Sequence, residues 1–341
     1  MSLGFLNERL RGTVVVDRLE SRLLAGNPLG DPAVRHLPVY LPPAYHTTTA
    51  RYPLVMILGG LFGSAAGWLA FRSFDENVLE LADRLIAAGA LPPAVLAFPD
   101  CSTRYGGGQY LDSPGTGRYL SHLADEVLPL LEAHYRLRGD AAGRAVAGRS
   151  SGGFGALRLV MARPGLFAHC ASGSGDLYFE MSARPELARL PSALERLGGL
   201  DEFLRGLPAL RHLGSDEACV LNVLAQASSY SPSDTPPGFR LPIDPESGEL
   251  DEEVFALWKT HDPAERVLTN EPERAALAGL QTLYVEAGDR DEYHADLGAR
   301  VFAQRCRLLG IDRLYHSYPG GHSGGTARWA VMLPLLLERM N

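Results

Sequence analysis

Three side chains far apart in the chain, Ser150, Asp291 and His322, are of the types that together attack a carbonyl carbon. Ser150 stands in Gly148-Arg149-Ser150-Ser151-Gly152. An apolar, strand-like run precedes it (residues 144–147), and a helical pattern with Ala156, Leu157 and Leu159 follows. An attacking hydroxyl must project from a sharp, strained strand-to-helix turn. Glycines two residues to either side let strand and helix approach without Cβ clashes. The helix start then aims free N–H groups at developing negative charge. With 37 glycines in the chain the bare G-x-S-x-G pattern is cheap, and the strand before it and helix after it make it informative. Ser151 is the alternative nucleophile, but Arg149 stands two residues before it, where the turn wants a glycine.

A base and an acid must complete the relay. His169, His212, His261, His294, His316 and His322 follow Ser150. His322 lies in Tyr318-Pro-Gly-Gly-His-Ser-Gly-Gly, between the last strand-like run and the last helical pattern, and its glycines permit tight backbone approach. His316 falls inside the strand run itself. The run at residues 282–286 leads into Ala287-Gly288-Asp289-Arg290-Asp291-Glu292-Tyr293, where Asp289, Asp291 and Glu292 compete for the acid. Asp291 is best placed, at a helix start after a glycine turn, and Asp289 is the runner-up. An oxyanion needs two backbone donors. The N–H of Ser151 is one. The N–H of Leu61, in the apolar run ending Gly59-Gly60-Leu61-Phe62-Gly63, is the candidate for the second.

The elements that must carry these residues alternate. Strands are expected at residues 13–16, 37–41, 54–58, 94–98, 144–147, 170–172, 282–286 and 314–318. Helices are expected at 75–88, 118–134, 152–162, 291–309 and 326–340. Alternation from residue 54 onward argues for an α/β chain with a parallel sheet covered on both faces. The first two strands, with no helix between them, are expected as an antiparallel edge. Residues 176–280 break the rhythm with short helix-like pieces and a Pro/Ser/Gly-rich run at 228–248. They read as a cap over the site, with residues 1–175 and 281–341 forming the core. Trp68, Tyr105, Tyr110, Tyr178 and Phe179 are candidate aromatic linings of a substrate pocket.

Composition narrows the partners. The net charge of −8 provides no basic field for nucleic acid or an anionic membrane. Cys101, Cys170, Cys219 and Cys306 show no CxxC or metal-type spacing and are expected as reduced thiols. The N-terminus, residues 1–12, lacks an apolar leader core, and no stretch reaches the length of a membrane span. A cytoplasmic protein acting on a small-molecule ester is the expectation, without metal or organic cofactor, and a homo-oligomer is compatible with it. HExxH, P-loop and Rossmann patterns are absent from the sequence.

Several of these motifs recur in order in the esterase D family of α/β hydrolases, which the chain resembles from about residue 34 to its end, residues 176–280 excepted. They are VYLPPAY (39–45), YPLVMILGGLFGSAAGW (52–68), LDSPGTGRY (111–119), AGRSSGGFGAL (147–157), AGDRDEY (287–293) and YPGGHSGGTARW (318–329). The resemblance implies an α/β-hydrolase fold with a mostly parallel central sheet, helices on both faces and a helical or irregular cap insertion. It implies a serine carboxylesterase in which Ser150, Asp291 and His322 form the triad and Leu61 and Ser151 the oxyanion hole. Two positions depart from the family pattern: Gly59-Gly60 replaces the usual His-Gly or Asp-Gly, and Ser151 stands where a larger apolar residue is common. Rival readings are an acyltransferase or peptidase on the same triad and a non-catalytic binding protein.

Overall fold

The computed structural model describes residues 8–340. The first seven residues, part of the N-terminal stretch read for a leader, lie outside the described residues. The apolar runs become strands β1 (Thr13–Glu20), β2 (Val34–Leu41), β3 (Leu54–Leu58) and β4 (Val95–Ala97). A two-residue hairpin follows, β5 (Asp112–Ser113) with β6 (Gly117–Arg118), and then β7 (Arg144–Arg149), β8 (His169–Gly173), β9 (Thr282–Gly288) and β10 (Leu314–Tyr318). All but the hairpin join one sheet in the order β1-β2-β4-β3-β7-β8-β9-β10. β1 and β2 pair antiparallel at one edge, β2 meets β4 antiparallel, and every later neighbour is parallel.

Alternation along the central strands explains why both faces are covered. In β3, Leu54, Met56 and Leu58 join one apolar cluster while Val55 and Ile57 join another. Side chains of successive strand residues point to opposite faces, so an all-apolar run requires helices on both. One face is covered by helices Ser151–Ala162 and Ala295–Leu308 and by the helical stretch 119–134, whose middle turns (His122–Val127) are π-helical. Helices Val78–Ala87 and Trp329–Glu338 cover the other. Asn77 starts Val78–Ala87 with a reciprocal cap: its side chain accepts from Glu80 N–H, and Glu80 accepts from Asn77 N–H. The expected helix at 291–309 begins only at Ala295, because Asp291 and its neighbours form a turn.

Between β8 and β9 the chain forms a third apolar cluster of its own. Helices Phe179–Ser182, Arg184–Arg196, Leu200–Gly206, Ser215–Tyr230 and Glu252–Lys259 bury Leu187, Leu190, Leu224 and Trp258 together. Helices Pro263–Thr269 and Glu271–Ala278 behave differently. Their Ala264, Val267 and Leu277 pack into the sheet-side cluster. Among the described residues no helix is long and apolar enough to cross a membrane. The four cysteines are buried free thiols.

Candidate active site

Ser150 sits between β7 and helix Ser151–Ala162 with φ 54° and ψ −130°, a conformation that costs a non-glycine residue on the order of 1–3 kcal/mol. The surrounding structure holds it there. Its N–H donates to Gly173 O at 2.9 Å, and its carbonyl accepts from Phe154 N–H at 3.0 Å. Gly148 and Gly152 are needed for closeness. A Cβ on Gly148 would stand 2.2 Å from Gly152 O, and one on Gly152 would stand 2.2 Å from Leu58 O. The strained serine and the tight approach of β3, β7 and the helix are therefore one feature.

His322 lies in the loop after β10 and Asp291 in the turn after β9. His322 Nε2 is 2.9 Å from Ser150 Oγ, and His322 Nδ1 is 2.9 Å from both Asp291 carboxylate oxygens. Asp291 Oδ1 also accepts from Tyr293 N–H at 3.0 Å. Burial pushes Asp291 upward. The hydrogen bond and charge of His322, the Tyr293 N–H and the Ser174 hydroxyl outweigh it and hold the carboxyl below its ordinary value. With the carboxylate at Nδ1, the ring proton belongs there and Nε2 is left to accept from the serine.

The three competing acids divide the work. Asp289 Oδ1 accepts from Gly320 N–H at 3.0 Å, and Glu292 Oε2 accepts from His322 N–H at 2.7 Å. Both pin the histidine loop by its backbone, and only Asp291 meets the imidazole. Arg149, which the sequence marks only as the non-glycine two residues before Ser151, ties the arrangement from the other side. Its Nη2 donates to His322 O and to Tyr318 Oη, each at 2.9 Å, while Nη1 meets the buried Glu286 at 2.9 Å. Glu286 also takes Arg328 Nε at 3.1 Å and Tyr284 Oη at 2.7 Å. The only early signal for this network was a carboxylate within an otherwise apolar strand.

Leu61 borders the same cleft as Ser150. Among the described residues neither Leu61 N–H nor Ser151 N–H has a protein acceptor, while the flanking Phe62 N–H and Gly63 N–H are taken by Gly106 O and Gly60 O. The cleft measures about 130 Å³. Besides Leu61 and Phe62 from the β3 loop, it is walled by Asp176 and Ser182 after β8, Ala218 and Asn222 from helix Ser215–Tyr230, and Tyr293 after β9. Sequence reading did not single these walls out, since nothing in their spacing points to the serine.

The aromatic candidates lie elsewhere. Trp68 packs between Phe98 and Trp329, at 5.2 and 6.1 Å between ring centroids. Tyr110 is buried behind the β3 loop and donates to Gly59 O at 2.5 Å. Tyr178 lies under the Arg305 guanidinium at 5.1 Å. Tyr105 packs edge-on to Phe239, and Phe179 stacks on Tyr230. None of the five reaches the Ser150 cleft, because each ring finds an apolar or cationic neighbour in the packing.

The Pro/Ser/Gly-rich run is also away from the cleft. It folds back on the third cluster through bridges Pro232 to Phe239 and Ile243 to Leu250, and Trp258 Nε1 donates to Ser231 Oγ at 2.8 Å. Phe239 and Ile243 are buried there. Its residues line a separate groove together with Leu200. Among the described residues no group of three or more His, Cys, Asp or Glu side chains is placed to hold a metal ion.

A mostly parallel sheet with a serine on a strained turn after its fifth strand in sheet order, and its partners after later strands, is the α/β-hydrolase fold. Solved structures agree. A ferulic acid esterase superposes on 97% of this chain and 100% of its own at a TM-score of 0.63 and 20% identity. An S-formylglutathione hydrolase from Agrobacterium tumefaciens does so over 97% of each chain at 0.60 and 16%. Within that fold the chain belongs to the family described as "Putative esterase", whose model matches residues 33–339. Esterase Rv1288 of Mycobacterium tuberculosis is 33% identical over 168 residues, 47% of this chain and 34% of its own length. The uncharacterized protein YbbA of Bacillus subtilis is 25% identical over 160 residues, 44% of this chain and 60% of its own. The matched stretch thus spans less than two thirds of either relative.

Proposed function

We propose that the protein is a serine carboxylesterase with Ser150 as nucleophile, His322 as general base and acid, and Asp291 as the group that orients the imidazole. The observation that carries this reading is the unbroken hydrogen-bonded chain from Asp291 through His322 to Ser150. His322 Nε2 takes the serine proton as Oγ bonds to the ester carbonyl carbon, and Asp291 stabilises the imidazolium. The N–H groups of Leu61 and Ser151 receive the oxyanion. Collapse breaks the bond to the alcohol, which leaves with the proton from His322. A water then gives a proton to the same nitrogen and attacks the acyl-enzyme; the bond between Ser150 Oγ and the acyl carbon breaks, His322 returns the proton to Oγ, and the carboxylic acid leaves.

The cleft is small. About 130 Å³ is well under the roughly 300–1,000 Å³ of clefts for drug-sized ligands. It suits a short acyl group, so hydrolysis should fall steeply from acetyl and propionyl to octanoyl esters. The test of the nucleophile is a fluorophosphonate probe followed by peptide mass spectrometry. The expected adduct is on Ser150, and Ser150→Ala should abolish both labelling and ester hydrolysis. An adduct on Ser151, or full activity in Ser150→Ala, overturns the assignment.

A further inference from the structure

One wall of the cleft carries a group that ester cleavage does not use. Asp176 opens onto the cleft beside Ser150 and His322. Among the described residues no arginine or lysine forms an ion pair with it, and the Ser182 hydroxyl is its hydrogen-bonding neighbour. Behind it Glu186 is 4% exposed. One Glu186 oxygen takes Arg189 at 2.8 Å and the other, Oε2, has no partner. On the next wall Asn222 accepts from Gln226 Nε2 at 3.1 Å, which leaves its own amide N–H₂ with bonds to give.

A carboxylate held in an enclosed cleft without a cation is costly unless something arrives to pair with it. Burial, and after it the nearby charges of Asp291 and Glu186, push Asp176 up to about 6 against the opposing pull of His322 and Ser182. Above neutral pH it is therefore mostly an acceptor with free capacity. The smallness of the cleft limits what can meet it, because a substituent that fits beside Ser150 lies within one or two carbons of the scissile carbonyl.

We propose that Asp176 is a specificity-determining residue that receives a hydrogen-bond donor, an ammonium or hydroxyl group, on a short acyl chain seated next to Ser150. The reading rests on Ser150 being the residue acylated. It names the substrate class: esters of small 2-amino or 2-hydroxy acids in preference to their purely apolar isosteres. A site built to satisfy such a donor rejects the analogue that lacks it more strongly than an apolar pocket rejects a missing methyl group.

The experiment compares the ethyl esters of 2-methylpropanoic, 2-hydroxypropanoic and 2-aminopropanoic acid, which share one shape. For the unaltered protein, kcat/KM for the hydroxy or amino ester should exceed that for the methyl ester by about tenfold or more. Asp176→Ala should bring both ratios near one. Asp176→Asn, which keeps an acceptor without charge, should retain a hydroxyl preference and lose an ammonium preference. Ratios unchanged in both variants, or a ratio of one in the unaltered protein, overturn the proposal. Calorimetric binding of the corresponding three amides to Ser150→Ala, with and without Asp176→Ala, reads the same contact without turnover. Selective binding without hydrolysis in the unaltered protein supports Asp176 and overturns the nucleophile reading. Hydrolysis without selectivity does the reverse.

Discussion

At the scale of single residues, the separation of roles among Asp289, Asp291 and Glu292 is the sharpest test of the relay. Asp291→Asn exchanges an acceptor for a group that cannot fix the same tautomer, and should lower kcat by about 10³–10⁴ with little effect on melting. Asp289→Asn alters one bond to Gly320 N–H and should cost less than tenfold. Steady-state kinetics on a short-chain ester distinguishes the two, and the reverse ranking would move the acid to Asp289. Arg149 acts through the histidine loop. Arg149→Met removes the bond to His322 O and leaves the buried Glu286 with one guanidinium fewer, so both kcat and melting temperature should fall. Adding Glu286→Gln should recover part of the melting temperature, since the uncompensated charge is gone, but not kcat. Joint recovery of both would mean that Arg149 only stabilises the sheet.

At the scale of elements, the close contact of β3, β7 and helix Ser151–Ala162 leaves no slack. In Gly152→Ala the new methyl would face Leu58 O and Gly59 O at 2.2 and 2.7 Å, backbone atoms that cannot swing aside. A loss of about 2–3 kcal/mol and a melting temperature lower by several degrees are expected, together with lost activity as the Ser150 turn opens. The segment between β8 and β9 gives a second contrast. Helix Ser215–Tyr230 puts Ala218 and Asn222 into the cleft, whereas the Pro/Ser/Gly-rich run lies on the third cluster. We propose that residues 176–260 are the part that overhangs the site and that 263–278 serve the sheet. Ala218→Leu should therefore reorder acyl-chain preference, and shortening the loop around Thr235–Gly238 should leave that ranking unchanged. Measuring kcat/KM across an acyl series in both variants decides, and the opposite pattern would return the lid role to the run.

At the scale of the molecule, the buried His122 and His169 and the half-buried His261 contribute to the response to acid. Burial lowers His122 and His169, and burial with the charges of Arg158 and Arg266 lowers His261 to about 4. At these sites the folded protein binds fewer protons than the unfolded chain below about pH 6.5, and at His261 down to about pH 4, so their contribution to stability rises with pH and is lost on acidification. Asp176 and Asp262, pushed up by burial to about 6 and about 7, work in the opposite direction over the same range. A variant isolates the histidine. His261→Phe keeps a ring to stack on Tyr230, 5.2 Å away, and should flatten the decline of melting temperature between pH 6.5 and 4 relative to the unaltered protein. Parallel curves would show that His261 does not contribute.

Much of this was legible in the chain because the information is local. Continuous apolar runs such as 54–58 report two buried faces wherever they occur, and a strand, a glycine pair around Ser150 and a helix state the turn they form. The mostly parallel sheet with its antiparallel edge, and the three residues proposed as a triad, were read from such pieces and from their order in the chain. The walls of the cleft did not. Asp176, Ser182 and Asn222 line the cleft with the serine only because the segment between β8 and β9 folds back over it, and no periodicity encodes that docking. Trp68, Tyr110 and Tyr178 carried the right chemistry for a pocket, but a ring buries equally well against Phe98 or Arg305. Glu286 and Arg149 are 137 residues apart in the chain and pair only across the assembled sheet. Residue type and spacing determine which groups are able to react. Which of them share one small cleft is decided by long-range packing, because only that packing sets their distance and their access to water.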